Sequence, residues 1–144
     1  MAQILIKILE DIVRETKGFP LRISSLGAFP RISSPRVIWV GIDQGDTEVK
    51  TLAKTIEEKI TKIGIAKEPR PFSSHITLGR TRSGARQEML VKGLSELGGY
   101  FEKNTLEAQV TKITFFKSAL TPHGPIYETL KEFPLSPPLI QSAG

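Results

Sequence analysis

Six consecutive apolar residues, Val37-Ile38-Trp39-Val40-Gly41-Ile42, stand between two stretches of helical hydrophobic spacing. A short apolar run rich in β-branched and aromatic side chains suits a strand buried on both faces. Before it, Ile4, Leu5, Ile8, Leu9, Ile12 and Val13 recur at helical spacing. That amphipathic helix ends near Lys17-Gly18, and Gly18-Phe19-Pro20 is a stop signal. Leu21, Ile23 and Leu26 continue in a short extended stretch. After the run, Asp46 or Thr47 caps a second helix with the stripe Val49, Leu52, Ala53, Ile56, Ile60 and Ile63, which stops at Gly64.

Glu68-Pro69-Arg70-Pro71 is a stiff linker into a short strand, and Gly79 turns the chain out of it. A third helix starts at Ser83, carries Met89, Leu90, Leu94 and Leu97, and closes at Gly98-Gly99. Leu106–Phe116 alternates as one long strand, Ala119–Gly124 turns, and Ile126–Leu135 returns. Helices and strands mix and the last two strands read as a hairpin, so the expected class is α+β. At 144 residues the chain has room for one domain, residues 1–135, with a frayed tail over 136–144.

Cysteine is absent, which excludes disulfide scaffolds, thiolate zinc sites and cysteine nucleophiles. With only His75 and His123, a histidine-rich metal site is not expected. Twenty basic against fifteen acidic residues give a net charge of +5, a balance that favours anionic partners such as nucleic acid, although a merely solvated basic surface gives the same count. No apolar run approaches the ~20 residues a membrane span needs. Lys7, Glu10 and Asp11 break up the first apolar stretch, which argues against a signal peptide and for a cytoplasmic location.

The chemistry concentrates in Ser74-His75-Ile76-Thr77-Leu78-Gly79-Arg80. Strand alternation points His75 and Thr77 to one side, roughly 7 Å apart, and sends Ile76 and Leu78 into the core. Arg80 swings back as a cation beyond the Gly79 turn. A proton-transfer group, a hydroxyl donor and a guanidinium fork together suit phosphate chemistry. Phe72, next to the chemistry, reads first as core packing, with stacking of a base as the alternative. Trp39 reads as core. Arg31, Arg36, Arg70 and Arg82 would line an anionic cleft or simply face solvent.

The segment resembles the second histidine motif of the 2H phosphoesterase superfamily, and within it the RNA 2',3'-cyclic phosphodiesterases, also called 2'-5' RNA ligases. Gly27-Ala28-Phe29-Pro30 with Pro35–Gly41, Glu68–Arg80, and Gly124-Pro125-Ile126-Tyr127 with Phe133-Pro134-Leu135 carry the likeness in order. It implies a bilobal fold with a His-x-Thr pair on each side of a basic cleft. His75 matches the proton acceptor that activates water, Thr77 the threonine that binds a phosphate oxygen, and Arg80 the arginine that neutralises phosphate charge. The implied partners are RNA ends or cyclic nucleotides, with no metal, no cofactor and no membrane.

The sequence departs from the pattern in one respect: no histidine precedes His75. The first His-x-Thr motif would lie ahead of the opening helix, so the first lobe is expected to be incomplete and hydrolysis of 2',3'-cyclic phosphate to 2'-phosphate impaired. His123, in Thr121-Pro122-His123-Gly124-Pro125, lacks a partner threonine and reads as an exposed turn residue. The alternatives are a non-catalytic RNA-end or nucleotide-binding module, and a product of a mis-assigned start. An incomplete lobe would expose sheet edge, so self-association is expected, as nonspecific aggregation first and as a homodimer in the alternative.

Overall fold

A computed structural model describes residues 1–82 and 86–137. In chain order its elements are α1 (Ala2–Glu15), β1 (Phe19–Arg31), β2 (Ser34–Ile42), α2 (Asp46–Thr61), β3 (His75–Arg80), α3 (Gln87–Lys103), β4 (Leu106–Val110), β5 (Lys112–Thr121) and β6 (Gly124–Pro134). One sheet has the order β3-β2-β1-β4, and β5 pairs with β6 in a separate antiparallel ribbon. The α+β class therefore stands, in two compact units.

The first unit comprises Met1–Phe19, Thr51–Arg70 and the described residues from Gln109 on. The spacing of Leu9 and Ile12 puts both on one side of α1, where they pack against Phe133 of β6. Leu52 and Ile56 of α2 and Ile113 and Phe115 of β5 close around that trio. Lys131 binds Glu10 of α1 at 2.6 Å and lies 5.3 Å from the Phe133 ring centroid. The Lys131 ammonium holds the Glu10 carboxyl below its ordinary value. Gly64, at φ +93°, takes the left-handed conformation that ends the helical run after α2.

The second unit comprises Pro20–Lys50 and Pro71–Ala108. Its β1–β2 hairpin pairs Gly27 with Trp39, Ala28 with Ile38 and Phe29 with Val37. Leu94 of α3 and Val40 of β2 are buried. Arg22 grips Asp43 through Nε to Oδ1 at 2.9 Å and Nη2 to Oδ2 at 2.6 Å, so the Asp43 carboxyl sits well below the usual range.

Several boundaries differ from the sequence reading. α1 stops at Glu15, because Thr16 turns extended and its Oγ1 donates to the Ile12 carbonyl at 2.7 Å. The short stretch after Gly18 is a 13-residue strand stabilised by hairpin pairing. Gly98-Gly99 does not close α3, which runs on to Lys103. The single strand expected over Leu106–Phe116 is two strands, β4 in the larger sheet and β5 in the ribbon. The apolar run is buried only at Val40 and Gly41 and half-buried elsewhere. Ser136, placed in a frayed tail, instead bridges Lys17 and accepts the Gly18 N–H at 2.8 Å. Residues 138–144 of that tail, and Ser83 as a helix start, lie outside the described residues.

Candidate active site

The β2–β3 register determines which side chains share a face. Gly41 lies opposite His75, Val40 opposite Ile76 and Trp39 opposite Thr77, after which Ile38 pairs with Gly79 and Val37 with Arg80. Leu78 is the extra residue of a β-bulge. Directly opposed residues point to the same side of a sheet, so His75, Thr77 and Arg80 join Trp39, Val37 and Gly41 on one face. Continued into β1, that face includes Ser25, Gly27 and Phe29.

The bulge corrects the expected geometry. Gly79 is not a turn but a strand residue, and Arg80 ends β3 rather than swinging back from beyond it. The next residue anchors this end: Thr81 donates its N–H to the Arg36 carbonyl at 2.9 Å and its hydroxyl to the Pro35 carbonyl at 3.0 Å. Ile76 and Leu78 do not enter the core; they are 44% and 61% exposed. β3 ends the sheet order, so its second face receives little cover, and the extra residue breaks the alternation at Leu78.

His75 is half-buried among aromatic rings. Its ring centroid lies 5.3 Å from Phe29, nearly perpendicular to it, and 6.0 Å from Trp39. Phe29 and Trp39 are themselves 5.3 Å apart. Nδ1 of His75 lies 3.0 Å from the Ser73 carbonyl oxygen. A carbonyl can only accept, so Nδ1 is the donor in this contact, and whenever the ring is neutral the lone pair falls on Nε2. That is the form a general base needs.

Thr77 and Arg80 share its face and are exposed, and Arg31, Arg36 and Arg82 are exposed as well. Phe72 is 53% exposed in the segment leading into β3, which overturns the core packing expected of it. His123 lies in the β5–β6 turn of the first unit, its N–H donating to Thr121 Oγ1 at 3.2 Å. Sequence reasoning missed Phe29 and Trp39 as neighbours of the imidazole. The available signal was the pair of glycines, Gly27 and Gly41, that leaves flat space beside a tryptophan. Among the described residues no three His, Cys, Asp or Glu side chains gather as metal ligands, and no helix is long and apolar enough to cross a membrane.

Residues 3–121 match the 2'-5' RNA ligase superfamily. The chain belongs to this family. Two superfamily relatives, each named RNA 2',3'-cyclic phosphodiesterase, come from Aeropyrum pernix and Aquifex aeolicus. The first is 37% identical over 114 residues, covering 79% of this chain and 63% of the relative; the second is 35% identical over 131 residues, covering 90% and 67%. The chain thus spans somewhat under two thirds of the Aeropyrum protein. Its fold is similar to that of Escherichia coli LigT complexed with 3'-AMP, with a TM-score of 0.64 at 22% identity over 93% of this chain and 68% of that one. A Thermus thermophilus protein of the same fold gives 0.64 at 23% identity, over 90% and 67%.

Proposed function

We propose that this superfamily chain acts on RNA 2',3'-cyclic phosphate ends, with the His75 face as the phosphate site. The observation that carries the reading is the Nδ1 contact to the Ser73 carbonyl, which frees Nε2 of His75 on the face shared with Thr77 and Arg80. In the proposed step Nε2 takes a proton from water, the water oxygen bonds to phosphorus, and the bond from phosphorus to the 3' oxygen breaks. The departing 3' oxygen takes its proton from solvent, so the product carries a 2'-phosphate and a 3'-hydroxyl. Thr77 donates to a phosphate oxygen, Arg80 offsets the charge gathering there, and Phe72 offers a face to the terminal base.

The leaving oxygen needs a proton, and general acid catalysis supplies about 10²–10⁴-fold. No histidine precedes His75 and His123 sits in a hairpin turn, so we infer that the 144-residue polypeptide by itself turns over slowly. The test is hydrolysis of a 2',3'-cyclic nucleotide and of an RNA with a cyclic end, with products separated by chromatography. Slow conversion to 2'-phosphate that His75→Ala abolishes supports the enzyme reading. Salt-dependent binding of the phosphorylated end without turnover supports a non-catalytic RNA-end module instead. Neither turnover nor binding refutes both.

A further inference from the structure

The indole of Trp39 lies between two glycines. A Cβ at Gly27 would overlap Cζ2 and Cη2 of the indole, and one at Gly41 would overlap Ser25 Oγ and stand 3.1 Å from Cζ3. The benzo ring therefore rests against backbone that only glycine leaves open. Gly41 is also the cross-strand partner of His75, whose ring centroid lies 6.0 Å from that of the indole. Phe29 closes the third side.

Among the described residues no hydrogen bond holds the indole of Trp39 in place. Its Nε1 is buried without a partner among the described residues. A buried unsatisfied donor is costly, and a phenyl ring would avoid that cost. The bicyclic ring does what a phenyl ring cannot: it reaches from Gly27 past Gly41 and still contacts the imidazole. Its position is set by shape alone.

We propose that Trp39 is a positioning residue, which together with Phe29 holds the His75 ring where Nδ1 meets the Ser73 carbonyl and so selects the tautomer that leaves Nε2 basic. A histidine has several staggered side-chain orientations, and only some bring Nδ1 within 3.0 Å of that carbonyl. Free histidine side chains favour the opposite tautomer, with the proton on Nε2. The clamp thus converts an ordinary imidazole into one with a defined proton-accepting nitrogen. Its catalytic consequence rests on the proposed function; its structural content does not.

The experiment uses the 144-residue chain with ¹⁵N-labelled imidazoles, at about pH 8.5, above the ordinary imidazole range. Nitrogen shifts report the tautomer, and His123, exposed in its turn, serves as an internal reference. The unmodified chain is expected to show His75 with its proton on Nδ1 and His123 with the averaged pattern of a free side chain. Gly27→Ala, which changes neither ring chemically, and Trp39→Leu should each move the His75 nitrogens toward the His123 pattern. In a Trp39→Phe background the smaller ring leaves room for the new methyl, so Gly27→Ala should shift His75 less.

A Trp39→Leu protein with an unchanged circular dichroism spectrum and unshifted His75 nitrogens overturns the proposal. So does a Gly27→Ala shift of equal size in both backgrounds. Where an active form is assayed, kcat should fall about 10- to 100-fold with little change in KM, the signature of misplaced chemistry. Tautomer control by Trp39 without cyclic phosphate turnover would leave this inference standing and remove the proposed activity.

Discussion

Replacing Phe133 with alanine tests how the first unit is held together. Phe133 and Ile12 are each 2% exposed and Leu9 is 8% exposed, with α2 and β5 supplying the surrounding apolar groups. Burying a phenylalanine is worth about 1.5–3 kcal/mol in transfer terms. The void adds to that, because the elements framing the ring can collapse only partly, so a core Phe→Ala change costs about 3–5 kcal/mol. Lys131 also loses the ring face beneath it; at its partial exposure that adds about 0.5–1 kcal/mol. Its ion pair with Glu10 survives. The expected loss is therefore about 3.5–6 kcal/mol, a large share of the roughly 5–15 kcal/mol typical of a folded domain. Phe133→Leu, which keeps most of the volume, should cost under about 1.5 kcal/mol. Urea unfolding followed by far-ultraviolet circular dichroism measures both. An alanine variant shifted by less than about 1.5 kcal/mol, or no worse than the leucine variant, would refute the central place given to this ring.

Three further outcomes are expected. Arg80→Ala should weaken binding of a phosphorylated RNA end and lower its salt slope by about 0.7, so raising salt from about 50 to 200 mM costs the variant about 2.6-fold less affinity than the parent; parallel slopes would take Arg80 off the phosphate. Asp43, held low by Arg22, has a folded-state pKa below its unfolded value of about 3.9, so its contribution is present above that value and lost as pH falls through the folded one. Asp43→Asn should therefore melt lower than the parent at neutral pH, with the gap closing below about pH 4 in a thermal scan; a gap that widens in acid contradicts the pairing. On the β5–β6 ribbon Leu120, Ile126 and Tyr127 are 88%, 62% and 64% exposed, so sedimentation should show self-association rising with concentration, and a clean monomer throughout would end that expectation.

Elements whose signal is periodic were legible in the sequence: the stripe Leu9 and Ile12 foretold the buried side of α1, and Asp46 does begin α2. What pairing decides was not. The long β1 is rich in Ser, Gly and Pro and reads as weakly extended, yet eight cross-strand partners in β2 stabilise it. Gly98-Gly99 looked like a helix end because glycine often is one, but nothing within 4 Å crowds either position and the helix continues. That His75 and Thr77 share a face was legible from their two-residue spacing. Phe29 and Trp39 were not, because their nearness to His75 is a matter of register between three strands, and register is invisible until the pairing is known.

Register also decides where Arg80 faces. His75 and Thr77 are odd-numbered and Arg80 is even, so an unbroken strand would carry the guanidinium to the opposite face from the imidazole. The extra residue at Leu78 restores it, leaving Arg80 opposite Val37, two positions along β2 from the Trp39–Thr77 pair. A chain lacking Leu78 would keep those same pairs in regular alternation. Deleting Leu78 should therefore preserve the Arg80-dependent salt slope for a phosphorylated RNA end. Exchanging the neighbours, as Gly79→Arg with Arg80→Gly, puts the cation opposite Ile38 and turns it to the other face, at unchanged charge. That exchange should weaken binding as much as Arg80→Ala does. If it binds as the parent does while remaining folded, charge alone and not facing determines the contribution of this arginine, and the bulge has no part in the site.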